Sequence, residues 1–307
     1  MSRCLVTGAT SFIGRKVCEE LLARGYETFA LARASSEGLS NLKKLPGLTI
    51  LLGEMETIAE SLRPVGTLDT VIHLAWEGIG SAGRADKGIQ DRNFRDSMKL
   101  VKVAGDLGCR VFVGGGSQAE YGKRKGITTE ESPCNPVSEY GKAKLRFTLD
   151  APQACDRFGM KWRMPRLFSV FGPGDHPWTL MASLLQALER QQRLPLTDCT
   201  QYWNYLYVTD AARALAMLME ECHPNGIYNV ASEVSRPLKE FVLTVCSLFP
   251  DSPIPDFGAI PRHPDGPGDL MPSTMKLRCQ TGWKESYAFS DALTVMIQQR
   301  RMTTEQI

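Results

Sequence analysis

Tyr140 and Lys144 stand four residues apart in Tyr-Gly-Lys-Ala-Lys, and residues at that spacing share one face of a helix. A phenol titrates near ~10 and exchanges protons poorly at neutral pH. A nearby ammonium favours the phenolate and brings it toward ~7, a change of roughly 4 kcal/mol. With 8 tyrosines in 307 residues such a pair arises by chance, so its position in the fold decides its value. Ser117 closes Gly114-Gly115-Gly116-Ser117 after an apolar run and offers a hydroxyl to the oxygen on which the proton moves. Ser117, Tyr140 and Lys144 are the candidate catalytic residues.

A second constellation binds phosphate. Thr7-Gly8-Ala9-Thr10-Ser11-Phe12-Ile13-Gly14 joins an apolar run to an amphipathic one. Gly8 permits a tight turn, Gly14 permits close packing, and the helix N-terminus offers unpaired N–H groups to a pyrophosphate. Gly8, Thr10, Ser11, Phe12, Ile13 and Gly14 are therefore candidate cofactor-binding residues. Ser11 takes the place of the middle glycine; it fits with a negative φ, and its hydroxyl is a possible phosphate donor. The next apolar run ends in Arg33-Ala34-Ser35-Ser36. An acid there would bond the ribose hydroxyls of NAD, whereas an arginine accommodates a 2′-phosphate. Arg33, with Ser35 and Ser36, favours NADPH/NADP and leaves NAD possible. Glu54, after the third apolar run, is placed for the adenine amino group. An oxidised nicotinamide would add to the effect of Lys144 on the phenol.

These residues need a parallel sheet to position them. Cys4–Thr7, Thr28–Ala32, Leu48–Leu52, Thr70–Ala75 and Arg110–Gly114 read as strands. Phe12–Arg24, Asn93–Leu107 and Ser138–Phe158 read as helices, the last with Pro152 as a possible kink. Such alternation implies a doubly wound α/β sheet of Rossmann type covered on both faces. The expected division is a dinucleotide-binding domain over 1–165, with return segments near 205–232, and a smaller substrate lobe from most of 166–307. Ligands then sit at the carboxyl ends of the strands.

Composition sets the limits. Hydrophobic residues are 43% and charged residues 23%, as in a globular chain, and the net charge of +2 gives no footprint for nucleic acid or an anionic membrane. No apolar run reaches the ~18–20 residues of a membrane span. Nine scattered cysteines without a Cys-x-x-Cys pair argue against disulfides and zinc, and for a reducing cytoplasm. None of the four histidines has metal-ligand spacing, so no metal is expected. His73 lies within a strand and reads as a satisfied core residue.

With these residues in view, the chain resembles the extended short-chain dehydrogenase/reductases of the NAD-dependent epimerase/dehydratase group. The matching pieces are Thr7–Gly14, His73-Leu74-Ala75, Ser117 four before Tyr121-Gly122, Tyr140-Gly-x-x-Lys144, Arg166-Leu-Phe-Ser-Val-Phe-Gly-Pro173, Tyr207-Val-x-Asp210, Tyr228-Asn-Val230 and Gly282-Trp283. The resemblance implies a Ser–Tyr–Lys triad at Ser117, Tyr140 and Lys144, a nucleotide-sugar substrate and a homodimer. It adds Met55, Leu74, Ala75 and Trp76 to the cofactor lining. Ser117, Gln118, Ser169, His176 and Trp203 are the expected substrate contacts.

The departures sort the family's activities. Sugar 4,6-dehydratases carry Asp-Glu where this chain has Gln118-Ala119, so elimination of water is disfavoured. Reductases that also epimerise ring carbons carry a cysteine where Ala119 stands. Tightly held NAD in the 4-epimerases goes with an acid where Arg33 stands. A nucleotide-sugar 4-ketoreductase using NADPH fits best. The alternatives are a 4-epimerase with NAD and a non-catalytic NADP-binding sensor, which would have no use for the triad. Two arginines that grip diphosphate in the family are replaced, at Trp203-Asn204 and at Gly266, leaving Arg262, Lys276 and Arg278 as other sources of charge.

Overall fold

The computed structural model describes residues 2–262 and 268–304. Near-continuous apolar runs form strands buried on both faces. They are Arg3–Thr7 (β1), Glu27–Ala32 (β2), Thr49–Leu52 (β3), Thr70–His73 (β4) and Val111–Gly114 (β5), then the short Gly116–Ser117 (β6) and Lys161–Leu167 (β7). The order across the sheet is β3-β2-β1-β4-β5-β7, ending in the strand Gly226–Val230, while β6 extends beside β7. Every pairing is parallel. The chain is thus the doubly wound α/β sheet that the sequence predicts, and its order reverses between β1 and β4, where such sheets bind ligands.

Successive side chains of β1 show how the layers form. Cys4 and Val6 face the helices Phe12–Ala23 and Val208–Leu218, whereas Leu5 faces Lys87–Asp106 and Glu139–Arg157. A third core, including Phe171, Leu184, Phe241 and Leu293, lies off the sheet. Phe12 and Ile13, at the start of the first helix, pack against this third core.

Local chemistry explains where the expected boundaries shift. The helix expected from Asn93 begins at Lys87, because the Asp86 side chain accepts from Ile89 N at 3.0 Å and caps it there. β4 ends at His73 rather than Ala75, since Leu74 N turns to the Thr7 carbonyl at 3.1 Å and Ala75 N to Thr7 Oγ1 at 3.3 Å. Pro152 lies inside the continuous helix Glu139–Arg157. Asp210 is fully buried and accepts from Ser286 N and Tyr287 N, both at 3.0 Å, while its carbonyl takes the Trp283 indole at 3.1 Å. Two segments quoted for the resemblance, Tyr207–Asp210 and Gly282-Trp283, therefore hold each other. All nine cysteines are free, and no helix among the described residues is long and apolar enough to cross a membrane.

His73 is 1% exposed, with Nδ1 at 2.7 Å from Thr7 Oγ1 and Nε2 at 2.8 Å from Ser97 Oγ. Burial, with Lys144 adding to it, pushes its imidazole down to about 3. An unfolded histidine takes its proton near ~6.5, so below that pH the unfolded chain binds a proton that the folded chain refuses. This ring's contribution is intact above ~6.5 and is lost as pH falls, at up to ~1.4 kcal/mol per pH unit. Urea midpoints should drop from neutral to mildly acidic pH in the wild type and drop less in His73→Asn; parallel pH dependences in the two proteins would contradict this.

Candidate active site

The glycine run after β5 exists because nothing larger fits. A Cβ on Gly114 would lie 2.7 Å from Met164 Sδ, one on Gly115 3.0 Å from the His73 carbonyl, and one on Gly116 2.7 Å from Glu120 Oε1. Ser117 then caps a single 3-10 turn, Gln118–Glu120, its Oγ accepting from Ala119 N at 3.2 Å. Its own N–H donates to Glu120 Oε1 at 2.7 Å. The other carboxylate oxygen of Glu120 accepts from Arg166 Nε at 2.7 Å, and both side chains are out of solvent. Burial acts to lower the Arg166 guanidinium, but Glu120 and Tyr121 beside it carry the net shift upward. The guanidinium lies 4.3 Å from the centre of the Tyr121 ring. Burial pushes the Tyr121 phenol up to about 12, and it donates to Asn229 Oδ1 at 2.7 Å, so this tyrosine is a protonated structural tie.

The helix Glu139–Arg157 starts beside that turn. A Cβ on Gly141 would stand 2.6 Å from the Ala119 carbonyl, so the glycine after Tyr140 sets the approach. Tyr140 is 8% exposed, with the Ser117 side chain beside its phenol. Burial raises its phenol above the ordinary value; the Ser117 hydroxyl and the charge of Arg84 act to lower it, and Glu120 acts to raise it. Lys144 Nζ donates to the Gly115 carbonyl at 2.6 Å and lies 3.7 Å from the centre of the Trp76 ring. It is 6.0 Å from the centre of the Tyr140 ring. Burial pushes its ammonium down to about 7, against an upward pull from Glu120. Lys144 is thus turned to a carbonyl and an indole, with its ammonium 6.0 Å from the centre of the phenol ring it is expected to acidify.

The phosphate loop is formed. Gly8 has φ +70°, and a Cβ there would meet Ala75 N at 2.6 Å. Leu74 and Ala75 thus press on the turn, and a Cβ on Gly14 would be 2.1 Å from the Gly8 carbonyl. Ser11 has φ −74°, as its fit requires. Its hydroxyl is already spent on the helix, donating to the Gly8 carbonyl at 2.7 Å and accepting from Gly14 N at 3.1 Å. A donation from Ser11 Oγ to phosphate would have to displace its bond to the Gly8 carbonyl. Gly38 packs on the Thr10 carbonyl, which brings the segment holding Arg33, Ser35 and Ser36 over the loop. Arg33 forms an ion pair with Glu77, and Arg92 Nη2 reaches the same carboxylate at 3.4 Å. Glu54 is exposed after β3, and Met55 packs beside it on the core that contains Phe94. The cradle left by these glycines, the free helix terminus and the Arg33 pair fit a dinucleotide.

His176 stacks on Trp178 with ring centres 4.3 Å apart. Gly174, in the same loop, comes within van der Waals reach of Phe12. Ser169 lies between β7 and the next short strand, its carbonyl taking Leu206 N at 2.9 Å. Trp203 packs on Tyr121, Phe168 and Leu270. Gln118 Oε1, Trp203 Nε1 and Arg166 Nη1 are among the buried polar atoms that have no partner among the described residues. Of the alternative cations, Arg262 pairs with Asp198 and Arg278 with Glu233, at 2.6 and 2.7 Å, while Lys276 sits over the Tyr228 ring. Gly266 lies outside the described residues. One group of ligand-type side chains, Glu220, Cys222 and His223, has its atoms within 4.8 Å of one another, but Arg24 reaches Glu220 at 3.7 Å and already balances its charge.

Sequence reasoning missed Glu120 with Arg166, Glu77 and Arg84. The signal for the first pair was available: an arginine inside a strand buried on both faces must be paired. Removing one member of a buried ion pair strands the other and costs about 3–5 kcal/mol. Glu120→Gln and Arg166→Met should each destabilise the protein on that scale in urea titrations. The double variant should cost less than the two singles added. Single variants as stable as wild type would show that the pair carries no such charge balance.

Known proteins can now be set beside this geometry. The chain is 27% identical over 263 residues to an uncharacterized UDP-glucose epimerase of Bacillus subtilis, spanning 81% of each chain. It is 24% identical over 247 residues to the dTDP-6-deoxy-L-talose 4-dehydrogenase (NAD(+)) of Aggregatibacter actinomycetemcomitans, covering 78% of this chain and 87% of that one. The solved UDP-glucose 4-epimerase of Thermus thermophilus, in complex with NAD, superposes with a TM-score of 0.86 at 23% identity over 97% of this chain and 99% of that one. The model of the NAD dependent epimerase/dehydratase family matches residues 4–231, and with three-quarters of its length inside that match the chain belongs to this family.

Proposed function

We propose that this chain is a nucleotide-sugar 4-ketoreductase that uses NADPH. The observation that carries the reading is the meeting of Ser117, Tyr140 and Lys144 at the strand ends, with Gln118 and Ala119 where a dehydrating acid and base would stand. A bound nicotinamide dinucleotide would supply the hydride. Tyr140 gives its proton to the oxygen of the reduced carbon, and Ser117 Oγ, beside the same phenol, orients that oxygen. Lys144 would hold the ribose of a bound cofactor in exchange for its bond to the Gly115 carbonyl. The buried unpaired atoms of Gln118, Trp203 and Arg166 take sugar hydroxyls, because an unpaired polar atom in an interior gains most from a partner. His176 and Ser169 are the remaining substrate contacts in this reading.

Arg33 is the residue assigned to the 2′-phosphate. Its bond to Glu77 joins two half-exposed groups, and such pairs are worth at most ~1 kcal/mol, so a phosphate displaces the carboxylate readily. A second reading is a 4-epimerase that holds NAD. It is favoured by the epimerases among the relatives and by Glu77, which already neutralises Arg33.

Two measurements test this. Tyr140→Phe should lower turnover of a nucleotide-linked 4-keto sugar by about 10²–10⁴-fold and leave NADPH affinity unchanged. Arg33→Ala should weaken NADPH about tenfold with little effect on NADH. Equal wild-type affinities for the two cofactors, or NAD retained through purification with no net consumption of NADPH, would favour the epimerase.

A further inference from the structure

Arg84 was not part of any expected site. It lies on the short helix Ser81–Ala85, and its guanidinium stands 4.2 Å from the centre of the Tyr140 ring. Among the described residues no carboxylate pairs with it. The segment that carries it is built to hold it there. Gly78, with φ +65°, and Gly83 are in direct backbone contact, since a Cβ on Gly83 would be 2.4 Å from Gly78 Cα. The side chain of Gln90, itself 1% exposed, closes this pinch. Its Nε2 donates to the Gly83 carbonyl at 2.8 Å and the Gly78 carbonyl at 3.2 Å, and its Oε1 accepts from Trp76 Nε1 at 2.8 Å. Trp76 in turn meets Tyr140 edge-on, with ring centres 6.3 Å apart. One buried amide thus fixes both the arginine and the indole that flank the phenol.

We propose that Arg84 is a positioning residue for the chemistry at Tyr140, its guanidinium clamped over the phenol ring to hold the negative charge left when the proton departs. The inference rests on the reading of Tyr140 as the proton donor. A cation over an aromatic face is attracted by the ring's quadrupole, and far more by a phenolate whose charge spreads into the ring. The ionisable groups facing Tyr140 are Arg84, Lys144 on the same helix and Glu120 from the turn after β6. Glu120 opposes ionisation. Lys144 is directed elsewhere, to the Gly115 carbonyl and the Trp76 ring. A guanidinium keeps its charge throughout, which leaves Arg84 as the standing positive charge at the ring. As Tyr140 passes its proton to the substrate oxygen, the phenolate forms under that charge.

The test reads Tyr140 directly. Its ionisation is followed by NMR of ring-labelled tyrosine, with Tyr140→Phe assigning the signal, in wild type, Arg84→Gln and Arg84→Lys. Arg84→Gln should move the midpoint up by about one pH unit, a tenfold loss of phenolate at a given pH, and Arg84→Lys should recover part of it. The limb of the kcat/KM pH profile set by Tyr140 should move with it. Gln90→Leu, which keeps Arg84 but frees its segment, should shift the midpoint in the same direction. An unmoved midpoint in Arg84→Gln overturns the proposal whatever the substrate is. Failure of the wild type to reduce any 4-keto sugar, with the midpoint still shifting, overturns the assigned reaction and leaves the role of Arg84 at the phenol standing.

Discussion

A carboxylate and a guanidinium removed from water, Glu120 and Arg166, tie the end of β6 to β7. Either charge alone would be prohibitive in that interior. Together, with the Ser117 N–H completing the set, they are tolerated. The tie determines where Ser117 stands. Ser117 then caps the turn whose Ala119 carbonyl meets Gly141, and this places the first turn of the Tyr140 helix. An apolar pair would pack the same strands but would not orient the serine.

The pair also reaches beyond itself electrically. Its carboxylate keeps Lys144 from losing its proton still more readily and makes the Tyr140 proton harder to remove. The interior thus holds an amine and a phenol each displaced from its ordinary value mainly by burial, with charges from Glu120 and Arg84 trimming the result. Separated acid–base behaviour of neighbouring groups is how one site conducts proton transfer near neutrality.

Much of this was legible in the chain. The five strands expected in the first half each lie within two residues of β1 to β5, because buried parallel strands read as unbroken apolar runs, whereas the short β6 has no such run. Tyr140 and Lys144 share a helix face by simple periodicity, and the phosphate loop announces itself through Gly8 and Gly14. What could not be read was set by contacts far apart in sequence. Arg166 lies 46 positions from Glu120, and no local pattern joins them. The place of Arg84 depends on Gly78, Gly83 and Gln90 closing a loop whose shape no periodicity describes. Ser11 illustrates a subtler limit: its presence was evident, but only the geometry shows that its oxygen caps the helix while its proton goes to the Gly8 carbonyl.

The three successive glycines from the end of β5 to Ser117 carry one more implication. Each is pressed by a different neighbour: Met164 on the first, the His73 carbonyl and Leu74 on the second, Glu120 and the Pro165 carbonyl on the third. Neutral drift therefore has no foothold at these positions. A methyl could be accommodated at the first only after Met164 had become smaller, and at the third only after the anionic side chain had gone, with backbone pressing there even then. The history of such a segment must be written in its surroundings, with changes around it coming first in time.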